Sequence, residues 1–194
     1  MQKIKTVFID SLKRITCVFF IIYPFDIAAQ TESEKAAEVS GDDFVRAFLG
    51  NCAQNAGYFD RVIEAAKALE FADLPDEMRP LMAPQDPQAE FVGYYAQSGL
   101  GSPYFLGVAK GDLEGRIFAI CTVSNPYIDT PQVVSALQKF ADVGVPDNDD
   151  SEMGQRYRIW FMDKVAAGAF ISLTDAEPMG YGGATLAIAA PLIE

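Results

Sequence analysis

The chain of 194 residues contains no histidine. This absence excludes a serine or cysteine nucleophile that is activated by histidine, and it excludes any imidazole ligand to a metal. Gly-x-Ser-x-Gly and Ser-x-x-Lys motifs are also missing from the sequence, so serine catalysis lacks its usual signatures. An enzyme built on this chain would have to work with carboxylates, lysine, tyrosine or serine.

Positive charge is scarce, because 15 Lys and Arg residues stand against 27 Asp and Glu residues, a net charge of -12. Phosphate backbones and anionic membrane surfaces repel such a chain, so we expect no nucleic-acid partner. Apolar residues make up 50% of the sequence, which is enough for a sizeable core. The length predicts one domain.

The apolar run near the N-terminus is too short to span a bilayer. It extends from Ile15 to Phe25, which is 25 - 15 + 1 = 11 residues, whereas a span takes about 20. A basic stretch precedes it, and the small pair Ala28 and Ala29 follows, an order typical of a secretory signal peptide. We therefore predict a signal peptide over residues 1–29, no transmembrane anchor after its cleavage, and a periplasmic or secreted protein.

Hydrophobic periodicity organises the remainder of the chain. Residues 30–40 are polar and predict a flexible lead-in to a single domain over residues 41–194. Apolar spacing of three and four predicts helices that start near Ser40, Phe59 and Thr130. Alternating or branched apolar runs predict six strands, over residues 90–97, 104–109, 115–123, 156–163, 167–174 and 183–190.

The order of these elements predicts the fold class. Strands that follow each other through short loops are mostly antiparallel. We therefore predict an α+β fold, with a mostly antiparallel sheet of five or six strands and helices packed mainly on one face. No internal repeat period is visible in the sequence.

Two cysteines remain once the signal peptide, with Cys17, is removed. Cys52 continues the apolar stripe of Phe44 and Phe48 on the first helix, and Cys121 lies on an apolar face of the third strand. Zinc would need further ligands, and a redox pair would need Cys-x-x-Cys spacing. In an exported protein this even number favours a Cys52–Cys121 disulfide over two free buried thiols.

Arg156, Arg158 and Trp160 alternate along one predicted strand and therefore share a face. One interpretation is a candidate ligand patch, in which two guanidinium groups bind a small anion or carboxylate over an aromatic floor. The other interpretation is structural, with the arginines stacked on the tryptophan and paired with nearby acids. The structural interpretation is favoured because such ion pairs and stacks are common.

The acidic run DNDDSE partly matches a calcium-binding loop. Asp147, Asp149 and Ser151 occupy the first three ligand positions of an EF-hand. However, Glu152 stands where glycine is needed and Arg158 where the last glutamate is needed. We predict a solvated acidic loop here, with no metal site and no cofactor.

Carboxylate chemistry, as in glycoside hydrolysis, needs two acids at a set separation. The candidate acids are Asp86, Glu90, Asp112 and Glu114, whose spacing along the chain does not place them in space. Surface charge is the default explanation for these four residues.

Three stretches, LMAPQDPQAEFVGYY, LGVAKGDLEGRIFAICTVSNPYID and GQRYRIWF, resemble a small family of uncharacterised exported proteins of Gram-negative bacteria. The likeness covers most of residues 44–162 and includes both cysteines. It implies envelope localisation and a structural cysteine pair, but no activity. This chain lacks the cysteine that lipoprotein-type members carry at the cleavage site, so lipid anchoring is not expected.

The sequence thus predicts an exported envelope protein, most simply a non-enzymatic binding or interaction module. Its partner would be a protein or small ligand of the cell envelope. The alternative is a carboxylate-dependent hydrolase that acts on envelope glycan.

Overall fold

A computed structural model describes residues 40–84, 86, 89–97 and 103–193 of the chain. The predicted signal peptide and nearly all of the predicted lead-in lie outside these residues. The fold is α+β with one antiparallel sheet, as predicted. The strands are β1 Ala72–Asp73, β2 Glu90–Gln97, β3 Pro103–Leu113, β4 Arg116–Asn125, β5 Asn148–Glu152, β6 Gln155–Phe161, β7 Phe170–Asp175 and β8 Ala184–Pro191. The helices are α1 Gly41–Asn51, α2 Phe59–Ala68, the single turn α3 Arg79–Met82, and α4 Thr130–Phe140.

The sheet is assembled from two meanders of four strands each. Its order is β1-β2-β3-β4-β8-β7-β6-β5, so β4 and β8 pair at the centre, with Cys121 opposite Ile188. Helix α4 connects the two meanders along the chain. The edges of the sheet are therefore β1 and β5, and the strands in the middle are the most apolar ones.

Over the described residues the sheet has eight strands, so the predicted count of five or six is wrong. The two additional strands are the short edge strand β1 and the acidic edge strand β5. Strand β5 reads NDDSE, a composition with low strand propensity, which is why the sequence predicted a loop there. A tight turn at Met153 and Gly154, both with positive φ, folds this segment back onto β6 and supplies the pairing. As predicted for this run, its side chains are largely exposed.

Helices α1, α2 and α4 pack on one face of the sheet and form the main core with it. From α1 and α4 this core receives Phe44, Phe48 and Leu137, and from the central strands Val123 and Leu186, all essentially inaccessible to water. The opposite face carries a smaller cluster formed by Leu113, Phe118, Ile159, Phe170 and Ala189. The prediction of helices mainly on one face is therefore confirmed for α1, α2 and α4.

The predicted disulfide is formed. The Cys52 and Cys121 sulfurs lie 2.02 Å apart and the two Cα atoms 5.3 Å apart. Cys52 directly follows α1, and Cys121 lies in the middle of β4 on the helix-covered face. The bridge therefore fixes the end of α1 to the centre of the sheet.

The three predicted helices begin close to the predicted residues, at Gly41, Phe59 and Thr130. Asp43 follows Ser40 at the spacing of a capping box, but the extended Ser40 makes no side-chain capping hydrogen bond, so no such box is formed. Helix α4 begins at Thr130, within one residue of the predicted start, and Pro131 lies in its first turn, where the missing N–H costs nothing.

Candidate functional site

A cavity of about 410 Å³ lies between helix α4 and the strands β5 and β6. Its lining residues lie where helix α4, strands β5 and β6 and the β7–β8 connection meet. They are Pro131, Val134, Ser135 and Gln138 on the helix, Asp149, Arg156 and Arg158 on the strands, and Pro146 and Glu177 on the flanking loops. The site thus has a mostly uncharged helix wall that faces a charged strand wall.

The helix wall follows from the periodicity of α4. Val133, Ala136 and Leu137 point into the core, so positions shifted around the helix by one residue point to the edge of the sheet. Val134 and Ser135 occupy such positions and line the cavity. One amphipathic pattern therefore builds both the core and the site.

The strand wall follows from the alternation of side chains along β6. Arg156 and Arg158 lie on the helix-covered face, two residues apart. In the register, Asp149 of β5 lies directly opposite Arg158, and Asp175 of β7 directly opposite Arg156. Each arginine therefore stands between carboxylates from both neighbouring strands.

Arg156 binds Asp149 in a bidentate ion pair. Its Nε and Nη2 atoms donate to the two carboxylate oxygens of Asp149, both at 2.7 Å. The hydrogen bonds from the guanidinium lower the pKa of the Asp149 carboxyl, and the same contact raises the pKa of Arg156. This pair is partly exposed, so it orients the arginine more than it stabilises the fold.

Arg158 is buried, and so is its main partner, Asp175. Arg158 Nη1 donates to Asp175 Oδ2 at 2.6 Å, while the other oxygen, Oδ1, accepts the backbone N–H of Glu177 at 2.9 Å. Burial raises the pKa of the Asp175 carboxyl, and the hydrogen bond from Glu177 and the charge of Arg158 only partly offset this rise. Asp175 thus holds both the guanidinium and the start of the β7–β8 connection.

Glu177 reaches both arginines from that connection. Its Oε2 atom lies 3.3 Å from Arg158 Nη2 and 3.8 Å from Arg156 Nη1. It begins a 3-10 turn, Glu177–Met179, which ends at Gly180 with φ of 77°. Met179 packs so closely over Gly154 that a Cβ at that position would overlap its sulfur. The turn is therefore fixed on both sides, while the carboxylate lies at the mouth of the cavity.

Trp160, the third residue of the candidate ligand patch, does not line the cavity. It is 3% exposed, belongs to the main core, and donates from Nε1 to the carbonyl of Gly144 at 3.0 Å. Along this face of β6, Arg156 and Arg158 line the cavity, whereas Trp160, further along the strand, packs in the main core. The patch is thus built from Arg156 and Arg158 without an aromatic floor.

The four acids considered for carboxylate chemistry lie elsewhere. Glu90 pairs with Lys110 at 2.7 Å, and Asp112 accepts the N–H of Gly115 in the β3–β4 turn. Glu114 belongs to that same turn, with φ of 55°. None of these acids, nor Asp86, lines the cavity.

The residues of the partial EF-hand match do not converge on a common point. Asp147 accepts the N–H of Phe161 at 2.8 Å, and Asp149 is bound to Arg156. Within the described ranges, no group of three Asp, Glu or Cys residues is arranged to hold a metal ion.

Sequence reasoning missed Asp175 and Glu177. They stand 17 and 19 residues after Arg158 in the chain, and only the β6–β7 pairing and the turn after β7 bring them to it. In the sequence, Asp175 and Glu177 stand beside Pro178 in a stretch that predicts a turn, and exposed turns are commonly acidic. Their pattern therefore did not mark them as site residues.

Of the helices formed by the described residues, none has the length and apolar character needed to cross a membrane. Comparison with known proteins gives no match to a protein-family model, a curated protein or a solved structure.

Proposed function

We propose that this protein is an exported, non-enzymatic binding module whose ligand enters the cavity between α4 and β6. The observation that carries the proposal is the pairing of an uncharged helix wall with two pre-oriented guanidinium groups in a cavity of about 410 Å³. Ligand sites commonly have about 300–1,000 Å³ and a few fixed polar groups on otherwise less polar walls. The cavity has a volume in this range, and the two arginines are its fixed polar groups, although its lining is more polar than that of most ligand sites.

The ion pairs of the cavity support binding over catalysis. The two carboxylates that line it, Asp149 and Glu177, both contact arginine. A general acid needs a proton at neutral pH, and the hydrogen bonds that Asp149 accepts from Arg156 favour the ionised form of Asp149 instead. Asp175 has a raised pKa, but both of its oxygens are engaged and it does not line the cavity. The carboxylate-dependent hydrolase stays a prediction without a structural observation in its favour.

The disulfide supports the exported location. Bridges of this kind persist in oxidising compartments and are rare where thiols are kept reduced. The signal peptide over residues 1–29 stays a prediction from the sequence. N-terminal sequencing of the protein recovered from the envelope would test cleavage after Ala29.

The binding proposal is tested by a fragment screen with NMR detection. We expect small polar compounds to shift backbone amide signals of α4 and β6 in the wild-type protein. Ser135→Trp places a large side chain in the cavity from an exposed helix position and should abolish these shifts. Lys67→Trp, at an exposed position of helix α2 outside the cavity lining, is the matched control and should retain them.

Two results would contradict the proposal. In the first, no compound in the screen shifts α4 or β6 signals in either the wild type or the control. In the second, the shifts persist unchanged in Ser135→Trp, which would place the binding elsewhere.

A further inference from the structure

Glu177 differs from the other two carboxylates of the site in how it is held. Asp149 and Asp175 approach their arginines at 2.7 and 2.6 Å, whereas the contacts of Glu177 are 3.3 and 3.8 Å. Its side chain is 47% exposed, while that of Asp175 is fully buried. Glu177 is therefore the carboxylate that the arginines hold most weakly and that water reaches most easily.

The side chain of Glu177 is also free to leave without unfolding its turn. The turn is fixed by its backbone: the N–H of Glu177 donates to Asp175, and the carbonyl of Glu177 accepts the N–H of Gly180 at 2.9 Å. Met179 adds the contact over Gly154. Rotation of the Glu177 side chain into solvent breaks none of these contacts and uncovers the guanidinium edges that face the cavity.

The guanidinium donors that Glu177 would leave free favour an anionic acceptor as the replacement. Two arginines and three carboxylates give the occupied site one excess negative charge. With Glu177 turned away, the remaining two pairs are neutral, Arg158 Nη2 loses the hydrogen bond to Glu177, and Arg156 Nη1 loses its ion-pair contact with Glu177. A ligand carboxylate would supply the missing acceptor with the planar geometry that guanidinium groups prefer.

We infer that the ligand of this cavity carries a carboxylate, and that Glu177 occupies the position of this carboxylate until the ligand displaces it. The inference rests on the proposed function and deepens it, because it assigns the chemistry of the ligand. Glu177 acts as an internal competitor, so the wild-type protein binds its ligand more weakly than the arginines alone would allow.

The test compares two dipeptide probes that differ only at the C-terminus. N-acetyl-dialanine carries a free carboxylate, and its C-terminal amide does not. Succinate is a third probe, which separates a small organic acid from a peptide end as the source of the carboxylate. Binding is measured by NMR titration against the wild type, Glu177→Gln and Glu177→Asp.

Glu177→Gln removes the competing charge, and Glu177→Asp keeps the charge but shortens the side chain. We expect both variants to bind N-acetyl-dialanine or succinate about tenfold more tightly than the wild type, a change of the size that one charged hydrogen bond supports. The amide probe should bind none of the proteins measurably. Glu152→Gln is the matched control, because it removes one exposed charge outside the cavity lining, and it should match the wild type within about twofold.

The outcomes separate this inference from the proposed function. Unchanged or weaker carboxylate binding in both Glu177 variants, with the folds intact by circular dichroism, overturns the inference. Binding of the uncharged amide as tightly as the acid also overturns it. The cavity would remain a binding site in either case if fragments still shift α4 and β6 signals and Ser135→Trp abolishes those shifts.

Discussion

The bridge between Cys52 and Cys121 sets a measurable part of the stability of this fold. The two residues are 69 positions apart, so the bridge closes a loop that includes α2 and the strands β1 to β3. Constraint of the unfolded chain by a loop of this length is worth about 4 kcal/mol. Because both cysteines are buried, the double variant Cys52→Ala/Cys121→Ala also loses a small amount of packing. We expect its free energy of unfolding to be lower by about 4 kcal/mol.

Urea denaturation followed by circular dichroism measures this difference directly. With a slope of about 2 kcal/mol per molar urea, the midpoint of the double variant should fall by about 2 M. Wild-type protein that is kept reduced should move towards the same midpoint. A midpoint within about 0.5 M of the oxidised wild type would refute the reasoning. Two alkylated thiols in the unreduced protein, detected by intact mass, would refute the bridge itself.

Three further predictions concern helix packing and the ion pairs. Gly41→Ala should lower stability by about 1–3 kcal/mol in urea melts, because its Cβ would lie 2.6 Å from the backbone carbonyl carbon of Gln132; Gly50→Ala in the same helix meets no atom within 4 Å and should raise stability by up to about 1 kcal/mol. Asp175→Asn should destabilise the protein by about 3 kcal/mol, since it leaves a buried guanidinium without its main partner, and an unchanged melt would contradict this. Because the pKa of Asp149 is lowered in the folded protein, its ion pair contributes stability above the pKa of an unfolded Asp, about 3.9, and this stability is lost as the pH falls through the folded pKa. Carbon-detected NMR titration should show the pKa of Asp149 rising in Arg156→Gln.

Regular apolar spacing made most of the fold predictable. Strand β2 has the predicted bounds, and the first two helices begin where the stripes containing Phe44 and Phe59 predicted them. The disulfide followed from compartment and cysteine number, together with two apolar faces that only a folded core would bring together. In these segments local propensity and burial favour the same structure, so the pattern alone is sufficient.

The missed features depend on contacts that the local sequence does not encode. Strand β5 has no apolar residue, and its strand conformation comes from pairing with β6 through a turn at Gly154. Trp160 and Arg158 share a strand face, but Trp160 packs in the core and Arg158 lines the cavity. This difference depends on which elements cover each end of β6, which the local sequence does not encode. Glu177 joins the site through a turn two residues beyond β7.

The buried pair of Arg158 and Asp175 is difficult to explain as a device for stability. Removal of two charges from water costs several kcal/mol, and well-packed apolar residues in place of such a pair are often neutral or stabilising by about 1–4 kcal/mol. The position of the pair is informative, because one oxygen of Asp175 fixes the guanidinium and the other fixes the turn that carries Glu177. Loss of the pair would therefore disorganise the mouth of the cavity even where it spared the fold. Its cost is best understood as the cost of holding the Arg158 guanidinium and the Glu177 turn in a fixed geometry beside the cavity.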